Sequence, residues 1–213
     1  MPIITIANTK GGVGKTTTAL GIGVALNADL FVEKDTDNEL SDLNIIRESY
    51  GYNDIPVVSP STSKELGEYI KRGWDDELIV IDCGGFDSDL VRIAIAASDI
   101  LIIPTSDASI ELRKLLKYDK TLSDIRSNTN SDFKACVLIA KVSHNMTDFS
   151  IFSQLVGASN NFQLLSSKLT YLKKDHNRAM LRGLSVIEDK RTKGGKAARE
   201  VKAVANEIGE MLN

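Results

Sequence analysis

The run Asn8-Thr9-Lys10-Gly11-Gly12-Val13-Gly14-Lys15-Thr16-Thr17 constrains this 213-residue chain more than any other feature. It follows the apolar Ile3-Ile4-Thr5-Ile6, which reads as a strand, and it opens a helical pattern, so three glycines sit at a strand-to-helix junction. Such a turn can curl its backbone N–H groups around an anion, and the helix N-terminus behind it adds partial positive charge. The strict pattern G-x-x-x-x-G-K-[ST] fails at one position, where Thr9 stands in place of the first glycine. The physics survives the departure. Lys10, Gly11, Gly12, Val13 and Gly14 form the cradle, Lys15 is spaced to reach the outer phosphates of a nucleotide, and the Thr16 hydroxyl is placed to ligate Mg²⁺, with Thr17 beside it.

The rest of the chain alternates short β-branched runs with longer helical patterns. Strands are expected at 3–7, 30–34, 55–59, 78–82, 100–104, 134–140 and 162–165, and helices at 15–27, 40–50, 63–72, 88–97, 110–127 and 147–156. Near-continuous apolar strands such as Leu78-Ile79-Val80-Ile81 fit a parallel sheet buried on both faces. The expectation is an α/β fold, a doubly wound, mostly parallel sheet flanked by helices, with its site at the carboxyl ends of the strands. After residue 165 the pattern turns to two helices, 171–182 and about 195–212, so residues 168–213 are expected as a basic helical part of one domain spanning 1–213. Neither linker nor repeat interrupts it.

Charge sharpens the reading. The whole chain has 26 Lys and Arg against 29 Asp and Glu, a net charge of −3 that argues against a nucleic-acid binder at face value. Its distribution does not. Residues 168–202 hold eleven basic residues against four acidic ones, a local excess of seven, which leaves the remainder ten negative. Lys174, Arg178 and Arg182 fall at i, i+4 and i+8, one face of a continuous helix, and Lys196, Arg199 and Lys202 make a second stripe off the apolar side of the last helix. These six residues are the candidate DNA-phosphate contacts, of a sequence-independent and salt-sensitive kind. Cys83 and Cys136 are far apart, the start of the chain has no secretory pattern, and the longest apolar runs are far short of a membrane span, so a cytoplasmic protein with reduced thiols is expected.

Two further groups of carboxylates end strands on the expected phosphate side. Asp82 closes the run 78–81 and is followed by Gly84-Gly85, an arrangement suited to a carboxylate that binds Mg²⁺ directly or through water. Asp35-Thr36-Asp37 ends the second strand, and its residues alone are compatible with an acidic turn capping the helix that begins near Leu40. His144 and His176 lack metal-ligand spacing and read as ordinary polar residues.

A resemblance joins these pieces. Lys10-Gly11-Gly12-Val13-Gly14-Lys15-Thr16 resembles the deviant Walker A loop of the ParA/MinD superfamily of P-loop ATPases, most like the small ParA (ParF-like) partition proteins. Asp35-Thr36-Asp37 is similar to the family's Asp-x-Asp switch, although Asn38-Glu39 follows where the family usually has Pro-Gln. Residues 98–105 are similar to its fifth-strand segment, and Arg182–Glu188 to its Gly-x-Ser-Val segment. The resemblance implies that ATP and Mg²⁺ are the cofactors, that Thr16, Asp35 and Asp82 serve the metal, and that Asp37 positions the attacking water. It further implies that Lys10 reaches across an ATP-dependent homodimer to the partner's phosphates, making Lys10, Lys15 and Asp37 the catalytic set. A nucleoid-associated cycle on non-specific DNA, released with the help of a ParB-like centromere-binding protein, would then partition a plasmid.

Other members keep alternatives open. A ParA-like ATPase could position conjugation machinery or another protein cargo, a MinD-like regulator would bind membrane, and related P-loop ligases and kinases act on small molecules. The ending Glu207-Ile208-Gly209-Glu210-Met211-Leu212-Asn213 is acidic and lacks aromatics, unlike a basic membrane-binding helix, so no membrane partner is expected. Paired cysteines of a cluster-binding relative are absent. Many relatives read adenine with an Asn near the end of the next strand; Lys141 stands near there, so no adenine contacts are assigned.

Overall fold

A computed structural model describes residues 2–34, 38–85 and 88–212, without the side chains of Ser109 and Ile110. The switch candidates Asp35 and Asp37 therefore lie outside the described residues. The strands are β1 (Ile3–Ile6), β2 (Leu30–Lys34), β3 (Val57–Val58), β4 (Ile79–Cys83), β5 (Ile100–Thr105), β6 (Lys134–Val142) and β7 (Phe162–Thr170). The helices are α1 (Lys15–Leu26), α2 (Glu39–Ser49), α3 (Ser63–Trp74), α4 (Asp89–Ala96), α5 (Ser109–Thr129), α6 (Ser150–Gly157), α7 (Lys173–Met180) and α8 (Lys196–Leu212).

All seven strands join one parallel sheet in the order β3-β2-β4-β1-β5-β6-β7. The sheet is central because its inner strands are apolar on both faces. Alternate residues divide between two cores: Ile4, Ile6, Val80, Ile100 and Ile102 pack under α1, α2 and α8. Ile3, Ile79, Ile81, Leu101 and Ile103 pack under α3, α4 and α5. This is the expected doubly wound α/β architecture. The order reverses at β1, whose neighbours are β4 and β5, so the loop from β1 into α1 sits at the switch point of the sheet.

Two strands differ from the sequence expectation. β3 is only Val57–Val58, a stub on one edge of the sheet. β7 runs to Thr170 rather than stopping at 165, so the expected helical C-terminal part does not begin at 168; Lys168 is in a strand, with its ammonium 4.0 Å from the centre of the Phe149 ring. The polar Ser166-Ser167 disguises this strand in sequence. Its backbone is satisfied by α8, where Glu207 accepts from Ser166 N (2.7 Å) and Ser167 N (2.8 Å) and Glu200 accepts from Thr170 N (2.8 Å). Partial burial pushes the Glu207 carboxyl up, but the hydrogen bonds from the two serines outweigh it and hold its pKa below the usual value.

The last segment is clasped onto α2. Gly183 has φ +68°, and a Cβ there would lie 2.2 Å from the Leu43 carbonyl oxygen, so both conformation and space demand glycine. Arg47, buried on α2, donates to the Gly183 carbonyl (3.0 Å) and makes a two-pronged pair with Glu188 (2.9 and 3.1 Å). Both cysteines are buried, and burial pushes the Cys136 thiol up to about 12.

Candidate nucleotide site

The phosphate loop forms where the sequence places it. Gly12 and Gly14 take the left-handed conformations φ +75° and +95°, which turn successive N–H groups to one side, and α1 starts at Lys15. No side chain caps α1, and its first turn holds no acidic residue, so its N-terminal donors are left to an incoming anion. Lys15 is 5% exposed and its Nζ donates to the Lys10 carbonyl (3.2 Å), curling back over the loop. Val13 is buried and anchors the loop, Thr16 is buried beside Lys15, and Gly11 has open space around it. Asn8 fixes the start of the loop: its amide donates to the Pro104 carbonyl (2.7 Å) and its oxygen accepts from Lys10 N (3.1 Å).

The ends of β1, β2 and β4 lie side by side next to the loop. Asp82 is fully buried, opposite Ile6 of β1 and Glu33 of β2 in the sheet register. The glycines after it lie against the phosphate loop: a Cβ on Gly85 would stand 3.4 Å from Gly11 N, while Gly84 N donates to the Lys34 carbonyl (2.9 Å). Among the described residues no group of three His, Cys, Asp or Glu gathers to hold a metal by itself. The oxygen donors Thr16 and Asp82 suit a hard cation that takes most of its ligands from phosphates and water, which is the habit of Mg²⁺.

Three side chains here lie outside the candidates of the sequence. Glu33, 1% exposed on β2, accepts from Leu40 N (2.6 Å) and from the Ser41 hydroxyl (2.8 Å). It thereby caps α2 from across the turn, so those donors do not need Asp35 or Asp37. Glu111, buried in the first turn of α5, holds the Lys10 ammonium at 2.5 Å and accepts from Ser106 N at 2.8 Å. Burial raises its pKa, yet the bonds from Lys10 and Ser106 together bring it below the ordinary carboxylate range.

Lys141, on β6, is the third. It donates to the Gly12 carbonyl, and its Cε would be 3.2 Å from a Cβ on Gly14. Shielding against the loop draws its pKa below the usual lysine value, opposed by Glu111 and Glu39. Beside it opens a cavity of about 200 Å³, walled by Val13, Gly14 and Thr17 on one side and by Leu169, Leu172 and His176 on the other. His176 forms part of the wall of the cavity next to the loop, and burial lowers its pKa.

The six candidate DNA contacts fall out unevenly. Lys174 and Arg178 are exposed on α7, but that helix ends at Met180, so Arg182 does not continue their stripe; it pairs instead with the buried Asp189 at 2.8 Å. Lys196, Arg199 and Lys202 are exposed on α8, opposite its buried face of Ala197, Val201, Val204 and Ile208. Of these, Lys196 lies 3.7 Å from Glu200, and Arg199 donates to the Gly194 carbonyl (2.8 Å).

Comparison with known proteins agrees with the loop and the sheet. The family model of the CobQ/CobB/MinD/ParA nucleotide binding domain matches residues 4–192. A relative from Gloeobacter kilaueensis, the maintenance of carboxysome distribution protein A, is 26% identical over 216 residues, covering 99% of this chain and 94% of its own. A plasmid partition protein from Borrelia burgdorferi B31, solved with AMPPNP bound, superposes with a TM-score of 0.68 at 18% identity over 98% of each chain. The cell division ATPase MinD of Pyrococcus furiosus gives a TM-score of 0.72 at 16% identity over 99% of each.

Proposed function

Because the chain belongs to the CobQ/CobB/MinD/ParA family of nucleotide-binding domains, we propose that it is a ParA-type ATPase that loads ATP with Mg²⁺, dimerises on it and binds DNA without sequence preference until hydrolysis releases it. The observation that carries this reading is an uncapped, acid-free helix N-terminus behind a left-handed glycine loop that holds one lysine within it and a second, Lys10, at its start. A single nucleotide already has Lys15. Lys10 instead pairs with Glu111, which in this reading holds it in reserve for the partner's phosphates in a sandwich dimer.

In this reading the backbone of residues 10–17 and the Lys15 ammonium bind the phosphates. Thr16 and Asp82, with Asp35, would hold Mg²⁺, which would supply charge neutralisation to the phosphates. Asp37 orients the attacking water, and the partner's Lys10 stabilises negative charge that develops in the transition state. Such hydrolysis is mostly placement and electrostatics, so the rate depends on whether the second protomer is present.

Exposed Lys174, Arg178, Lys196, Arg199 and Lys202 support DNA contact. Membrane binding through α8 is disfavoured because its apolar face is already packed into the core beneath α1. The full-length likeness to a carboxysome distribution protein favours a second reading of the cargo, a protein assembly carried over DNA in place of a plasmid with its ParB-like adaptor.

The test is duplex DNA binding with ATP, ADP or no nucleotide across a salt series. Binding that requires ATP and weakens with a log–log salt slope of about −0.9 per phosphate contacted is expected. Reversing the charge of Lys174, Arg178, Arg199 and Lys202 together should flatten that slope. Binding equal in all three nucleotide states sinks the cycle.

A further inference from the structure

Lys141 combines features that an incidental surface lysine would not. Its backbone is left-handed (φ +56°), a conformation that costs a non-glycine residue about 1–2 kcal/mol. The β6–β7 register shifts between Ala140 and Val142, so the strand bulges at this residue. The bulge sends the side chain across Gly14 to the Gly12 carbonyl, although 129 residues of sequence separate donor and acceptor. Its ammonium consequently stands on the border between the phosphate loop and the cavity lined by Thr17 and His176. Local strain of this sort persists where the surrounding structure imposes it, and it concentrates at ligand clamps.

The border position defines what Lys141 would meet. A ligand with its outer phosphates over residues 10–16 and a planar group in the cavity must pass Lys141 with the atoms joining the two. In a nucleoside 5′-polyphosphate the joining anionic atoms are the α-phosphate oxygens. A Gly12 carbonyl is a neutral acceptor, while a phosphate oxygen carries charge and accepts a stronger hydrogen bond. Resting on the nucleotide reading of this loop, we propose that Lys141 is an α-phosphate-binding residue, whose ammonium leaves the Gly12 carbonyl for the nucleotide's α-phosphate and so distinguishes a nucleotide from a bare polyphosphate.

A thermodynamic cycle tests this without relying on turnover. Calorimetry would compare ADP with its α-P-methyl analogue, in which a methyl group replaces one charged α-oxygen, on the wild type, Lys141→Met, Lys141→Asn and Lys141→Arg. The wild type should prefer ADP by about tenfold, the magnitude of one hydrogen bond to a charged group. Lys141→Met and Lys141→Asn should lose that preference, and Lys141→Arg should retain most of it. Asn adopts left-handed backbone more readily than lysine, so a thermal midpoint at or above wild type is expected for Lys141→Asn and separates lost contact from misfolding. A preference unchanged by Lys141→Met, with both ligands weakened equally, overturns the proposal and makes Lys141 a brace of the loop. A wild type that binds neither ligand overturns the nucleotide reading and this residue's role with it.

Discussion

At the scale of single residues, the site is a set of cations held ready by neutral or acidic partners. Lys15 rests on a carbonyl, Lys141 on another, and Lys10 on the buried Glu111. The last contact sets a threshold: Lys10 can serve a second phosphate site only by leaving Glu111, which would leave that buried carboxylate with Ser106 N but no cation. Glu111→Gln should weaken that hold, and the ATP-dependent dimer should form at about three- to tenfold lower protein concentration, the effect of a charged hydrogen bond reduced to a neutral one. Sedimentation equilibrium with ATP would measure it, and unchanged self-association would show that Glu111 does not restrain Lys10. Lys15→Ala should abolish nucleotide binding by calorimetry while leaving the fold intact, since its partner is a carbonyl already at the loop. The loop itself was legible because its chemistry lies in consecutive residues. Glu111 and Lys141 were not, because they meet the loop from 101 and 129 positions away and neither belongs to a local pattern.

At the scale of elements, the inner strands could be read directly, since a strand buried on both faces must be apolar throughout, as Ile79–Cys83 and Ile100–Thr105 are. The edges could not. β3 shrinks to two residues, and β7 hides behind Ser166-Ser167-Lys168, whose polarity reads as the end of a strand although Glu207 takes the backbone donors of both serines and Glu200 that of Thr170. The two basic stripes show the same limit from the other side: spacing placed Arg182 on α7, and the helix stops before reaching it. A pH dependence follows from the β7–α8 contact. Glu207 has its pKa held below the unfolded value, so its contribution to stability is present above that value and is lost as pH falls through the folded one. The urea midpoint of the wild type should drop on acidification below about pH 4, and Glu207→Gln should begin lower at neutral pH and drop less. Parallel acid profiles for the two proteins would count against the contact.

At the scale of the molecule, the first half of the chain and its last segment are held together by Arg47, which joins α2 to the Gly183 carbonyl and Glu188. Arg47→Met keeps the bulk of the side chain and removes the charge, leaving Glu188 with Ser185 N but no cation and the Gly183 carbonyl without the guanidinium; a loss of about 3 kcal/mol in denaturant unfolding is expected. A change under about 0.5 kcal/mol, the range of an ordinary surface substitution, would mean the clasp is dispensable. The lid that α8 places on β7 matters most before the protein is finished. While the chain is still being synthesised, every strand of the sheet exists before the helix whose carboxylates take the Ser166, Ser167 and Thr170 backbone donors of β7. Throughout that interval those donors are open to pairing with a neighbouring nascent chain on the same message. Production of this protein should accordingly be limited by how soon α8 follows β7 out of the ribosome, and a pause between them is where inclusion bodies would start.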